Sequence, residues 1–208
     1  MAETDREAYS PHLASALRDA WTQRYVHELG AATLTEVDQT FTEQTVLTAM
    51  ADISALKGNA TYLTAELVDN IRYTSGVCGF VRTARYQPPG RSHVAYPYIK
   101  DIDVVSSLAG QGIGSVLMDR ILSQFPEDRR VALYVHAVNT PSRQWYERLG
   151  FVARRTIAAS RRGGAFALDL VHMEAPSVGG VREALVPTLG RAGYRPAHVD
   201  PGIVAANA

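Results

Sequence analysis

Ile102-Asp103-Val104-Val105-Ser106-Ser107-Leu108-Ala109-Gly110-Gln111-Gly112-Ile113-Gly114-Ser115-Val116-Leu117-Met118 passes from a strand-like stretch through a glycine-rich turn and straight into an amphipathic helix. The first turn of a helix has backbone N–H groups without an intrahelical acceptor, and they converge at the positive end of the helix dipole. Glycines in the turn let the main chain come close to a ligand. The stretch therefore suits a phosphate or pyrophosphate. It is not a nucleotide-triphosphate loop, because no lysine follows the glycines; Lys57 and Lys100 are the only lysines in the chain. Nor is it a dinucleotide fingerprint. Gly110-Gln111-Gly112-Ile113-Gly114 is spaced G-x-G-x-G, and the strand before it closes an antiparallel meander instead of opening a parallel unit. On these residues alone, a tight turn with no ligand stands as the alternative.

Working outward, His93 to Val105 reads as a long strand, preceded by strands over Gly76 to Tyr86 and Thr61 to Val68, with Gln87-Pro88-Pro89-Gly90 as a turn. Before them, Tyr9, Leu13, Leu17, Trp21, Tyr25 and Leu29 share one helical face, and a second helix is expected from Thr35 to Lys57, stopped by Gly58-Asn59. After the glycine turn a helix is expected from Gly112 to Gln124, with Ile113, Val116, Leu117 and Ile121 as its buried stripe. Val131 to Val138 is an apolar strand. A short helix follows, with Thr140 as its expected N-cap, Pro141 at its first helical position and Gly150 at its end. Phe151 to Ala159 and Ala165 to Met173 read as a hairpin around Arg161 to Gly164. The tail from Ala175 is rich in Pro, Gly and Ala, with Val178 to Leu189 a candidate helix that Pro187 would interrupt.

The chain has 208 residues, enough for one well-buried domain. Its formal net charge of +0 argues against a dedicated nucleic-acid binder. Charge is uneven: the first sixty residues lean acidic, and Arg129, Arg130, Arg154, Arg155, Arg161 and Arg162 cluster further on. That cluster is a solvated basic face or a field that draws in an anionic cofactor. Cys78 is the single cysteine, which fits a reducing compartment and a buried strand position. The N-terminus is polar and no apolar run approaches bilayer length, so the expectation is a cytoplasmic protein with no membrane association.

A second motif changes the weight of the first. Asn139, then a short helix ending in Trp145-Tyr146-Glu147-Arg148-Leu149-Gly150-Phe151, lies one strand beyond the glycine turn. The two motifs, in this order and at this separation, resemble the GNAT superfamily of N-acetyltransferases over residues 60 to 175. The resemblance implies a mixed α/β fold with a mostly antiparallel central sheet flanked by helices. In it two neighbouring parallel strands, His93 to Val105 and Val131 to Val138, splay to form an acyl-CoA cleft. It divides the chain into a domain over 1–175, with a helical acceptor-side region over 1–60 and a core over 61–175, and a tail over 176–208.

By the same resemblance, the co-substrate is acetyl-CoA or another acyl-CoA. The backbone of Ile102, Asp103 and Val104 would pair with the pantetheine arm, and Ala109, Gly110, Gln111, Gly112, Ile113, Gly114 and Ser115 would hold the pyrophosphate. Asn139 would contact the cofactor arm, and Tyr146 would protonate the departing thiolate. Ala109 departs from the pattern, since the family usually has Arg or Gln there; the main-chain cradle survives, but a side-chain contact is lost. The family often places Glu at the positions of Lys100 and Tyr134, so no base is assigned by matching. Tyr98, Lys100 and Tyr134 are candidates for acceptor contact. His136 shares strand parity with Tyr134, and histidine is a residue type suited to proton transfer, so it is a candidate base, with Asp101 a second and Asp103 a third. Arg91, His93, Tyr96 and Tyr98 lie in the segment expected to set acceptor specificity.

The resulting expectation is acetyl transfer to a primary amine of a small molecule, by direct attack in a ternary complex. No metal and no nucleic acid are involved, and a homodimer through the tail or an edge strand is allowed. A protein or peptide N-acetyltransferase and a non-catalytic acyl-CoA-binding domain are the alternatives.

Overall fold

The computed structural model describes residues 11, 14–15, 17–23, 25, 32–40, 42–46, 60–66, 77–86, 96–158 and 168–191. Its strands are β1 (Ala60–Glu66), β2 (Val77–Tyr86), β3 (Tyr96–Val104), β4 (Val131–His136), β5 (Val152–Ile157) and β6 (Leu170–Ala175). They form one sheet in the order β1-β2-β3-β4-β6-β5. Every neighbouring pair is antiparallel except β3 and β4, which are parallel. The helices are α1 (17–23, with Tyr25 also helical), α2 (Ala32–Thr40), α3 (Ile113–Leu122), α4 (Thr140–Arg148) and α5 (Val178–Arg191).

One face of the sheet carries the main core. Ile99, Leu133, Val135, Val171, Met173 and Ala175 pack there against Leu117, Met118, Ile121 and Leu122 of α3. The expected stripe on α3 is present at Leu117 and Ile121, with Ile113 and Val116 only partly buried because they sit in its exposed first turn. Met118 and Ile121 are wholly buried, and each contributes on the order of 2 kcal/mol of burial free energy.

Helix α5 belongs to the same layer. Val178, Val181, Leu185 and Leu189 are buried at helical spacing, and the helix continues through Pro187 to Arg191. The expected interruption at Pro187 does not occur, because the apolar stripe holds the helix on both sides of it. Arg182 of α5 donates to the buried Asp119 of α3 at 2.9 Å, which neutralises a carboxylate that would be costly to bury alone.

The expected helix from Thr35 to Lys57 is corrected. Helix α2 ends at Thr40, and a new helical turn starts at 43–46. Thr42 caps it: its Oγ1 accepts from the Thr45 N–H at 3.2 Å. A local side-chain acceptor competes with helix continuation and wins. Residues 47–59, the turns at 87–90 and 161–164, the side chain of Cys78, and Arg91 and His93 lie outside the described residues.

Candidate active site

The site begins where the sheet stops being continuous. Strands β3 and β4 pair only at Tyr98↔Ala132 and Ile99↔Leu133, at the start of both strands. The register of β3 against β2 shifts at the same place: Thr83 pairs with Ile99 and Arg82 with Asp101, which leaves Lys100 as a bulge. An extra residue bends the strand and strengthens its twist, which turns the C-terminal half of β3 away from β4. It also changes which side chains share a face. Ile99 and Ile102 lie on the core face, while Asp101 and Asp103 join Tyr98 on the opposite one. Without the bulge both carboxylates would project toward the apolar core.

The gap is a cleft of about 370 Å³. Its lining comes from both faces of the sheet and from α1 and α4: Ile99, Ile102 and Val135 from the core face; Tyr98, Asp101, Asp103, Tyr134 and His136 from the other; Trp21, Tyr25 and Tyr146 from the helices. Of the residues that the sequence marks for acceptor contact and proton transfer, Tyr98, Lys100, Asp101, Asp103, Tyr134, His136 and Tyr146 meet here. Tyr96 does not line the cleft; its hydroxyl donates to Glu174 at 3.2 Å.

At one end of the cleft, β3 runs into the 3-10 turn Ser106–Leu108 and then into the glycines. Gly110 has φ +79, and Gly112, the N-cap of α3, has φ +87 with ψ −4. Both lie in the left-handed region that L side chains disfavour. Gly112 offers no capping side chain, so the first N–H groups of α3 are left for a ligand or water. Ala109 and Gln111 are exposed at the same turn. Asp19 of α1 accepts from the Ser106 N–H at 3.1 Å and so ties α1 to this end of the cleft. An acyl-CoA fits this arrangement on two counts. The main chain of Ile102 to Val104 has no β4 partner beside it, and the turn beyond offers convergent N–H donors at a helix N-terminus.

Helix α4 is capped by Asn139, which corrects the expected Thr140. The Asn139 Oδ1 accepts from the Ser142 N–H at 3.2 Å, so Thr140 and Pro141 fall inside the first turn. The helix ends at Arg148 with Leu149 as its C-cap, and Gly150, φ +87, turns the chain away just beyond. Tyr146 is buried, with its ring 5.0 Å from Trp145 and 5.7 Å from Phe151. It packs in the core and lines the cleft at once.

His136 is half-buried and lies edge-on to Trp21 at 5.1 Å and to Tyr25 at 5.3 Å. Tyr98 and Tyr134 meet at 5.7 Å, and behind Tyr134 lies His172 of β6 at 4.8 Å. Burial lowers the His172 pKa; Glu174 opposes the shift, and Arg155 and Arg154 add to it. A second bulge, at Arg154 of β5, brings both of these arginines to the His172 face, and Arg155 donates to the Tyr134 hydroxyl at 3.3 Å. Asp101 is engaged by Arg82, whose Nε donates to its Oδ2 at 2.6 Å. Trp21, Tyr25, Arg82 and His172 are site residues, or neighbours of them, that the motifs do not reveal. Only the four-residue spacing of Trp21 and Tyr25 on one helical face hints at a shared surface. Among the described residues no cluster of three or more His, Cys, Asp or Glu could hold a metal ion, and no helix is long and apolar enough to cross a membrane.

The fold is similar to that of PaiA N-acetyltransferase from Thermoplasma acidophilum in complex with coenzyme A, at 15% identity over 85% of this chain and 95% of that one, with a TM-score of 0.57. It is similar also to a structure described as histone acetyltransferase HPA2 and related acetyltransferase from Corynebacterium glutamicum, at 18% identity over 82% and 92% of the two chains, TM-score 0.54. Chaetomium thermophilum Naa20 in complex with a bisubstrate analogue aligns at 16% identity over 65% and 75%, TM-score 0.51. At these identities the likeness is one of fold. No curated protein matches the sequence. Residues 16–151 match the acetyltransferase (GNAT) family, which is well over half of the chain. The chain therefore belongs to the GNAT family of N-acetyltransferases, enzymes of acyl-CoA-dependent acetyl transfer with acetyl-CoA as co-substrate.

Proposed function

We propose that the chain transfers the acetyl group of acetyl-CoA to the primary amine of a small molecule, by direct attack within a ternary complex. The observation that carries this reading is the parting of β3 and β4 at Lys100, which lets His136 and Tyr146, from opposite sides of the sheet, line one cavity. In a continuous sheet the two groups would be separated by the main chain.

Acetyl-CoA, when bound, supplies the acetyl group as an activated thioester. The backbone of Ile102 to Val104 aligns the arm, and the N–H groups from Gly110 to Ser115 hold the pyrophosphate. His136 takes a proton from the acceptor nitrogen as the C–N bond forms. The Tyr146 hydroxyl gives its proton to the sulfur as the C–S bond breaks. Asp101 is a weaker choice of base because Arg82 already occupies one of its oxygens. It holds the β3 side of the acceptor site instead. Tyr98, Lys100 and Tyr134 contact the acceptor. Two features favour a small acceptor over a peptide: the cleft volume of about 370 Å³, and the placement of Trp21 and Tyr25 in its lining.

The first test is a thermal shift with CoA, acetyl-CoA and longer acyl-CoAs, with ATP and NAD as controls. The CoA species alone should stabilise the chain. A panel of small amines and short peptides, scored by release of the CoA thiol, then separates the two acceptor classes. Turnover with peptides and none with small amines would overturn the acceptor assignment.

A further inference from the structure

Asn139 occupies the position where the family resemblance implies a contact to the cofactor arm, yet both polar ends of its side chain are engaged within the protein. The amide is 5% exposed. Its Oδ1 accepts from the Ser142 N–H at 3.2 Å, and its Nδ2 donates to the Tyr25 hydroxyl at 3.1 Å. The orientation is fixed by chemistry, because a backbone N–H can only donate and so the atom facing Ser142 is the oxygen. Tyr25 is itself 3% exposed, and its ring lies 5.3 Å from that of His136.

We infer that Tyr25 is a positioning residue: through Asn139 it fixes the start of α4, and so the place of the Tyr146 hydroxyl relative to His136. Helix α4 has nine residues. A helix that short has little stability of its own, so it is held by core packing around Tyr146 towards its end and by its cap at its start. Tyr146 lies two turns along from that cap. The same helix α1 that presents Tyr25 is tied at the other bank of the cleft by Asp19 to the Ser106 N–H. Helix α1 thus spans the gap between the splayed strands, with one anchor at the entrance to the glycine turn and the other at the root of α4. The catalytic half of the inference rests on the proposed proton roles of His136 and Tyr146; the mechanical half does not.

Tyr25→Phe removes one hydroxyl and keeps the ring. In the full-length chain, amide hydrogen exchange across 140–149 should rise by about threefold to tenfold, the size expected for one lost neutral hydrogen bond, while exchange across 113–122 stays as in the wild type. With acetyl-CoA and the best amine from the panel, kcat should fall by a similar factor of about threefold to tenfold while the KM for acetyl-CoA holds steady. Asn139→Ala removes cap and link together, so adding Tyr25→Phe to it should change nothing further in exchange or in kcat. Unchanged exchange in α4, or effects of the two substitutions that add, would overturn the link. Faster exchange with kcat unchanged would overturn its catalytic consequence. If the wild type binds CoA but transfers to no amine or peptide, the proposed reaction fails, and the exchange measurement still decides the link.

Discussion

On the proposed cofactor side of the cleft the working groups are main-chain atoms, those of Ile102 to Val104 and of the turn around Gly110 and Gly112. On the acceptor side they are rings: Trp21, Tyr25, Tyr98, Tyr134 and His136, drawn from α1, β3 and β4. A backbone site depends on local conformation, and local conformation is written in consecutive residues. A side-chain site depends on which distant elements the fold brings together. The cofactor side should therefore respond to substitutions that alter φ or add a Cβ and tolerate changes of side-chain chemistry, and the acceptor side should do the reverse.

The largest effect expected is on the side-chain half. Tyr146→Phe keeps the buried ring and its packing on Trp145 and Phe151 but removes the hydroxyl proposed as the proton donor. It should lower kcat by about 100-fold, the lower end for a lost general acid, with CoA affinity unchanged within about threefold. Steady-state kinetics beside a CoA titration reads both numbers, and a full rate in the variant removes Tyr146 from the mechanism. On the backbone half, Gly112→Val forces a β-branched residue to φ +87 at the N-cap of α3. The strain, of order 1–2 kcal/mol, should weaken CoA binding by about tenfold and leave kcat at saturating cofactor nearly unchanged. A variant that binds CoA as well as the wild type would show that the turn does not hold the pyrophosphate.

The same contrast decides which features are legible in the sequence. The glycine turn, the helix it opens and the helix stop at Gly150 all follow from short runs of residues, whereas the parallel pairing of β3 and β4 follows from the family resemblance. The bulge at Lys100 is harder. Its one trace is that Ile99, Ile102 and Val104 break strict alternation, and a strand read at period two puts Asp101 and Asp103 on the wrong face. Nothing in the sequence joins Tyr25 to Asn139, Arg82 to Asp101 or Asp19 to Ser106, because each pair closes a long loop between different elements. The cap of α4 lies at Asn139, one residue before the expected Thr140, for a local reason: both are good cap residues, and only geometry chooses between them.

Ala109 allows the contrast to be sharpened from the cofactor side. It is exposed at the turn, where the family usually carries Arg or Gln. Ala109→Arg would add a side-chain contact to a site proposed to work through the main chain, and it should tighten CoA binding by about fivefold, an effect that fades as salt is raised. Isothermal titration at low and at high salt reads both. No gain at low salt would mean that the turn presents this side chain away from the pyrophosphate.

The smallest effect concerns the ring behind the acceptor side. His172 is buried against Tyr134, and burial holds its pKa below the ordinary value of 6.5, with Glu174 pulling the other way and Arg155 and Arg154 adding to the shift. The unfolded chain therefore takes up a proton near that ordinary value while the folded chain refuses it until the pH is lower. The unfolded state binds more protons in that window, so the stability linked to His172 is complete above the ordinary value and is lost as pH falls through it. His172→Gln removes the titration. Between pH 7.5 and 5.5 the wild type should lose more of its Tm than His172→Gln does, by about 2 °C. Equal losses would show that the folded chain takes up a proton at His172 as readily as the unfolded chain, so that the packing on Tyr134 imposes no barrier to it.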